Sequence, residues 1–271
     1  MMEGRRINTV YIGGGTPTAI PPMELERIIQ SIYNEFGEKN IREITVEAGR
    51  PDTINKEYLE MLNKNNIGRI SINPQTMNDS TLKLIGRHHN SSDIVKTFHL
   101  AKEIGFNVIN MDLIIGLPGE GVKEIKQTLE KIQELNPENL TIHTLAVKRG
   151  SKFKDTMDKY SMQTQSTLSE MLDETMEVSN KMGLAPYYLY RQKQILGNFE
   201  NIGYCKPGMD CIYNIAMMEE KETIMAAGVG SVSKIYFPEE NRIERVPNFK
   251  DLKEYLERTD ELIQNKRKVL G

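Results

Sequence analysis

Five short runs rich in β-branched residues, each followed by a longer stretch of helical period, constrain this chain more than any other feature. The runs are Thr9–Ile12, 44–46, Arg69–Ile72, Val108–Ile115 and 140–145. After the first, Leu25, Ile28, Ile29, Ile32, Tyr33 and Phe36 recur at three- and four-residue steps behind Pro21-Pro22, a favourable way into a helix. Ile94, Phe98, Ala101 and Ile104 do the same behind Ser91-Ser92-Asp93, which offers N-cap side chains. Val122, Ile125, Leu129, Ile132 and Leu135 repeat the pattern. Strand, helix and strand alternating at roughly 25–40 residues predict serial βαβ units and a parallel sheet, open or closed.

The rhythm changes after about residue 150. Leu168, Met171, Leu172, Thr175, Met176 and Met182 predict a long amphipathic helix, followed by an aromatic strand at 186–191. A glycine-rich run at 226–233 precedes a final helix carrying Phe249, Leu252, Tyr255, Leu256 and Ile263. The expected division is therefore a sheet domain over 1–150 and an α+β appendage over 151–271, with Lys266-Arg267-Lys268 as a solvated helix end.

Charge excludes little and suggests little. With 35 basic and 38 acidic residues, nothing points to nucleic acid or an anionic membrane as partner. No stretch of about 20 apolar residues predicts a membrane span, and the first residues lack the apolar run of a secretory signal, so the cytoplasm is the expected location. The two cysteines, Cys205 and Cys211, predict neither a disulfide framework nor the ligand set of a [4Fe–4S] cluster. Their spacing suits neither a zinc knuckle nor a redox pair, and they read as structural.

In parallel α/β architectures ligands sit at the carboxyl ends of strands, so residues directly after the apolar runs are the candidates. Gly13-Gly14-Gly15-Thr16 follows the first run and is either a tight turn or a backbone cradle for oxygens. Glu47 ends the second, as a ribose-binding carboxylate or a rim group paired with Arg50 or Arg69. Gln75 follows the third, and Arg87, a bidentate partner for a carboxylate, comes twelve residues later beside His88-His89. Adjacent histidines point different ways, which favours a loop or surface role over a metal site. Asp112 is the sharpest anomaly, because a carboxylate within an apolar strand needs a ligand or a partner. Gly228-Val229-Gly230-Ser231-Val232-Ser233 reads as a second possible anion cradle; it lacks a P-loop lysine and dinucleotide-binding spacing.

Taken in order, Tyr11-Ile12-Gly13-Gly14-Gly15-Thr16-Pro17-Thr18, Val46-Glu47, Arg69-Ile70-Ser71-Ile72-Asn73-Pro74-Gln75, Gly86-Arg87-His88 and Met111-Asp112-Leu113-Ile114-Ile115-Gly116-Leu117-Pro118-Gly119 resemble the oxygen-independent coproporphyrinogen III oxidases. These belong to the radical S-adenosylmethionine (SAM) enzymes. Pro186-Tyr187-Tyr188-Leu189-Tyr190-Arg191-Gln192, Gly197-Asn198-Phe199-Glu200-Asn201 and Arg245-Val246-Pro247-Asn248-Phe249-Lys250-Asp251 are similar to the HemZ-type branch of Gram-positive bacteria.

The resemblance implies a partial (β/α)6 TIM-like barrel with a C-terminal HemN/HemZ-type domain. It implies SAM and a [4Fe–4S] cluster as cofactors, a porphyrinogen substrate, and an electron donor of flavodoxin or ferredoxin type. The implied reaction is oxidative decarboxylation of coproporphyrinogen III to protoporphyrinogen IX, begun by a 5′-deoxyadenosyl radical, in haem biosynthesis. By position, Gly14, Glu47 and Val232 would hold one SAM, and Gly15, Thr16, Gln75, Arg87, Asp112 and Ala146 a second SAM or the porphyrinogen. The family's C-x3-C-x2-C segment and the strand before it have no counterpart in these residues, so the chain is expected to be inactive alone. It would be either a fragment or a cluster-less paralogue that binds a tetrapyrrole or SAM without radical chemistry. In the second case the imidazoles of His88, His89, His99 and His143 are the available haem ligands.

Overall fold

In the computed structural model, residues 6–146, 163–191 and 199–270 are described, and they divide into two compact units. The first, Ile7–Cys211, is built on a seven-stranded sheet. Its strands are β1 (Thr9–Ile12), β2 (Glu43–Gly49), β3 (Arg69–Ile72), β4 (Val108–Ile115), β5 (Asn139–Thr144), β6 (Ala185–Tyr190) and β7 (Asn201–Cys205). They lie in the order β1-β2-β3-β4-β5-β7-β6. Strands β1 to β5 are parallel, whereas β7 runs antiparallel to both neighbours. The sheet curls into a half-barrel, as the resemblance implies.

Helices α1 (Pro22–Phe36), α2 (Lys56–Lys64), α3 (Asp79–Leu84), α4 (Ser91–Ile104), α5 (Val122–Leu135) and α6 (Gln165–Lys181) fill the connections. The period of two along β4 explains how they pack. Ile109, Met111, Leu113 and Ile115 are fully buried among helix side chains such as Phe98, Leu129 and Met171. Each such side chain contributes about 1.5–3 kcal/mol. Asn110, Asp112 and Ile114 point the other way and are only partly buried. Registry carries this second, inner face across the sheet: Glu47 pairs with Ser71, Ser71 with Asn110, Asp112 with Thr141, and Thr141 with Gly203.

Helix α4 corrects one local expectation. Its N-cap is Asn90, whose side chain accepts from the Asp93 amide, while the Asp93 carboxylate accepts from the Asn90 amide. Asp93 thus closes a capping box instead of serving as the cap. The boundary expected near residue 150 lies outside the described residues, and β6 and β7 extend the same sheet beyond it.

The second unit comprises Arg6 and residues 212–270. It holds α7 (Ile212–Glu219), a hairpin of β8 (Val232–Phe237) and β9 (Arg242–Pro247), α8 (Leu252–Glu257) and α9 (Thr259–Leu270). The single final helix expected from periodicity is two, interrupted at Arg258, whose guanidinium stacks on Phe249 at 4.1 Å. Lys266 is not a solvated end. It is buried, and its ammonium donates to the Ala226 carbonyl at 2.7 Å.

Candidate active site at the carboxyl end of the sheet

The inner face of the sheet carries charge at both ends. Near the amino end, Arg69 is buried and donates to the Asn139 side chain and to the carbonyls of Met209 and Asp210. It also lies 3.2 Å from Glu43. Four acceptors surround its two terminal nitrogens and offset much of their desolvation, while the buried Nε has no hydrogen-bond partner. Of the two arginines that could have paired with Glu47, Arg69 goes to Glu43 and Arg50 goes to Asp52.

Glu47, two residues further along β2 than Thr45, reaches the site instead. It accepts from the Gly14 amide and the Tyr11 hydroxyl, and its carboxyl lies in the field of Asp112. Burial, and then the Asp112 charge, push its pKa above the usual carboxylate range. The close approach explains Gly13: a Cβ there would stand 2.9 Å from Glu47 Oε2 and 2.5 Å from the Tyr11 ring. Gly14, at φ +116°, adopts a conformation that glycine tolerates, and both Gly14 and Gly15 face open space. Thr16 turns its hydroxyl back onto the Gly15 carbonyl at 2.6 Å. Thr18 ties this loop to the next strand through the Ala48 carbonyl and the Thr53 hydroxyl.

Asp112 is the hub of a polar network that runs across three strands. Asn110 Nδ2 donates to its Oδ1 at 2.7 Å, and His143 Nε2 stands 3.7 Å from its Oδ2. Thr141 reaches the Asn110 side-chain oxygen at 3.1 Å and the Tyr188 hydroxyl at 3.4 Å. Tyr190 Oη lies 3.3 Å from His143 Nδ1. Burial alone would raise the pKa of Asp112, but His143, Asn110 and Thr141 outweigh it and hold the carboxyl below its ordinary value. Asp112 is therefore an anion and Glu47 the readier of the two to take a proton.

Gln75 continues β3 onto the flank of β4. Its amide donates to the Asp112 carbonyl at 2.9 Å, and its carbonyl accepts from the Ile114 amide at 2.8 Å. The residue sits at φ +68°, where a non-glycine costs about 1–2 kcal/mol. The next residues are clamped by the buried Glu120, which accepts from Thr76 at 2.6 Å and Asn78 at 3.2 Å. Burial raises the Glu120 pKa, so this carboxyl is the hydrogen-bonded core of a loop clamp.

The remaining candidates have other neighbours. Arg87 is half-buried among Arg50, Asp52 and His89, and burial together with the Arg50 charge lowers its pKa. His89 is buried 3.6 Å from Asp52, while His88 and His99 are exposed. Among the described residues no group of three or more His, Cys, Asp or Glu is placed to hold a metal ion. Ala146 lies two residues beyond the carboxyl end of β5. Val232 begins β8 in the second unit.

In the 226–233 run three amides that a cradle would offer to an anion are spent internally: Ala226 on Ser233 Oγ, Gly228 on the Tyr255 hydroxyl, Gly230 on the Phe249 carbonyl. Cys205 and Cys211 are both buried thiols, and Cys211 Sγ donates to Glu43 at 3.3 Å.

Asn110, Thr141, Tyr188 and Tyr190 were missed as site residues by reasoning from sequence, and His143 was read only as one of four imidazoles available to haem. A signal existed: Thr141 and His143 alternate with buried Leu140 and Ile142, as Asn110 and Asp112 do with Met111 and Leu113. Period-two polarity in a strand expected to be covered on both faces marks the face that looks into the barrel.

Residues 1–132 match the Radical SAM superfamily. Over 266 residues, 98% of this chain and 53% of the relative, the sequence is 48% identical to the oxygen-independent coproporphyrinogen-III oxidase-like protein HemZ of Bacillus subtilis. Residues 1–132 are a radical SAM domain. It is also 28% identical to the heme chaperone HemW of Bacillus subtilis, over 80% of this chain and 54% of that protein. The solved coproporphyrinogen III oxidase HemN of Escherichia coli, titled a radical SAM enzyme, shares the fold at a TM-score of 0.72 and 23% identity. That alignment covers 95% of this chain and 58% of HemN. The chain thus spans about half the length of the curated relatives it matches.

A radical SAM domain implies SAM and a [4Fe–4S] cluster, and these residues fit the two groups differently. Open space over Gly14 and Gly15, with two carboxylates beside it, suits a sulfonium, an ammonium and ribose hydroxyls. The chain's two cysteines are fewer than the three thiolates of the family's C-x3-C-x2-C segment, and both are buried away from this end of the sheet, beside Asn139 and Glu43. Cluster ligands are therefore not among these 271 residues.

Proposed function

We propose that this chain is the SAM- and substrate-binding body of a HemZ-type radical SAM protein acting on a porphyrinogen. The observation that carries the reading is the meeting of the Gly14 amide, Glu47 and Asp112 at one end of one sheet face. SAM, bound beside a cluster supplied from outside these residues, would provide hydrogen-atom abstraction. Gly14, Gly15 and Thr16 would line its backbone-facing side, and Glu47 would accept from ribose hydroxyls. Asp112 would neutralise positive charge, Gln75 and Ala146 would border the same rim, and Arg87 would receive a carboxylate. By the resemblance Val232 is carried over as a further SAM-binding position, and 151–271 would serve as the C-terminal domain of the family.

The inferred reaction is oxidative decarboxylation of coproporphyrinogen III, with a flavodoxin- or ferredoxin-type reductant, in the cytoplasm. The test is anaerobic turnover by protein expressed from the gene with its own upstream sequence, reconstituted with iron and sulfide and reduced with dithionite. Formation of 5′-deoxyadenosine, carbon dioxide and vinyl-bearing product is expected. SAM cleavage without substrate decarboxylation would reject the porphyrinogen assignment.

The likeness to HemW favours one second reading, a tetrapyrrole carrier. Of the four histidines, only His143 faces the site from the inner sheet face, which makes it the ligand to test. Haem titration of wild-type protein and His143→Ala, followed by the Soret band, decides it.

A further inference from the structure

Strand β6 carries two aromatic side chains across the whole width of its neighbour. It is an edge strand, paired only with β7, and its register slips between Pro186 and Tyr188. The extra residue makes a bulge, a device that re-aims the side chains around it. Past the bulge Tyr188 pairs with Gly203 and Tyr190 with Asn201, on the face that carries Thr141 and Asp112. A Cβ on Gly203 would lie 2.5 Å from both Cδ1 and Cζ of the Tyr188 ring, and closer still to Cε1. Such spacing belongs to an atom above a ring face, so Tyr188 lies flat over β7. Its hydroxyl reaches Thr141 Oγ1 on β5 at 3.4 Å. Tyr190 takes the same course, within 19° of parallel and 6.2 Å away, and its hydroxyl reaches His143 Nδ1 at 3.3 Å. Neighbours on one face of a strand are about 6.5 Å apart, so the two rings lie side by side and neither covers the other.

This two-ring floor differs in kind from the ground beside it. Gly14, Glu47 and Asp112 offer an amide and two carboxyls, which suit a compact cation. The floor offers ring faces and hydroxyls, and burial keeps the Tyr188 phenol protonated by raising its pKa. Both tyrosines are only half-buried, so ring surface stays accessible beyond the contact with β7. A nucleobase covers about one aromatic ring. Two rings laid side by side match a broader system of linked rings. At the inner edge of the floor, Thr141 and Asp112 present oxygens to ring N–H donors. A porphyrinogen has both features: pyrrole rings joined through carbon bridges, each with an N–H.

We propose that Tyr188 and Tyr190 are the floor on which the pyrrole rings of a porphyrinogen rest, with SAM on the glycine and carboxylate side and Asp112 and Thr141 between the two ligands. The proposal rests on the reading of this chain as a SAM- and porphyrinogen-binding body, and adds where the second ligand lies. Binding makes and breaks no covalent bond. Both tyrosines determine specificity through their ring faces. Gly203 positions the first of them by leaving room beneath it. The preference for a broad ring system is therefore set by β6 and β7, apart from the residues that hold the cofactor.

Anaerobic equilibrium dialysis of the whole chain tests this. One probe is coproporphyrinogen III, read as porphyrin fluorescence after oxidation, and the other is labelled SAM. Tyr188→Leu should weaken coproporphyrinogen III at least about tenfold while SAM affinity falls far less. Tyr188→Phe, which keeps the ring, should retain the affinity of the wild type. A loss in Tyr188→Phe as large as in Tyr188→Leu would overturn the role of the ring face. Equal losses of both probes in Tyr188→Leu would make the floor an adenine platform and overturn the proposal. Should Tyr188→Leu fold poorly, Tyr190→Leu gives the same contrast. Wild-type protein supplies an independent one: both probes should bind together, and mutual exclusion would overturn the two adjacent places. Unchanged coproporphyrinogen affinity in both leucine variants would reject the floor alone, whereas no binding to wild type would reject the porphyrinogen reading with it.

Discussion

The two ends of one sheet face have been built to opposite specifications. At the amino end a guanidinium, a carboxylate, an asparagine and two carbonyls close on one another and leave Arg69 and Glu43 about 7% and 11% accessible. At the carboxyl end, two strand steps away, Glu47 and Asp112 face each other as like charges, beside glycines that border open space. The same strands carry both ends, so fold alone does not distinguish them. The difference lies in whether polar groups are satisfied internally, and an end that is not is where a ligand has work to do.

Removing the closed end should cost most. Arg69→Leu removes one donor each from Glu43, Asn139 and two carbonyls, and about 3–5 kcal/mol of stability should be lost in urea unfolding. An unchanged midpoint would show that the amino end is not closed by this residue. Next comes Gly203→Ala. A Cβ there would lie 1.9 Å from the Tyr188 ring, which crosses over the glycine, so the tyrosine must move. About 1–3 kcal/mol should be lost, with a change in tyrosine fluorescence.

Substitutions at the open end should alter the pH dependence of stability more than its size. Glu47 has a raised pKa, so its contribution is full at low pH and is lost as pH rises through the folded-state value. Glu47→Gln should therefore flatten the decline above the ordinary carboxylate range. Asp112 has a lowered pKa, so its contribution is present above the unfolded value and is lost as pH falls through the folded one. Asp112→Asn should remove that acid-side loss. Urea midpoints collected from pH about 3 to 7 read both signs, and identical profiles for the two variants would erase the distinction between these carboxyls. Smallest is Tyr190→Phe, expected to cost about 0.5–1.5 kcal/mol through the lost bond to His143.

Much of this was legible in sequence, because buried parallel strands are written as continuous apolar runs. Thr9–Ile12, Arg69–Ile72 and Val108–Ile115 are strands with the expected bounds, and α1 starts at the expected Pro21-Pro22 entry. Strand β7 was not visible: Gly203 interrupts its pattern, and its value to the fold is the absence of a side chain beneath Tyr188. Helices α2 and α3 were too short to impose a period of their own. Gly14, Glu47 and Asp112 do converge on one end of the sheet, while Arg87 keeps company with Arg50 and Asp52, contacts between loops that no local pattern encodes. Lys266 and the 226–233 run were misread for the same reason. A buried ammonium and a set of spent amides look, residue by residue, like a solvated tail and an anion cradle.

The account depends on the open end being a single cavity for one cationic nucleoside ligand. Equilibrium dialysis of labelled SAM against wild-type chain, Glu47→Gln and Asp112→Asn, each verified as folded by its urea midpoint, tests this most directly. Both variants should lose at least about tenfold in affinity, equivalent to about 1.4 kcal/mol each, while remaining folded at neutral pH. Wild-type affinity in both would contradict it.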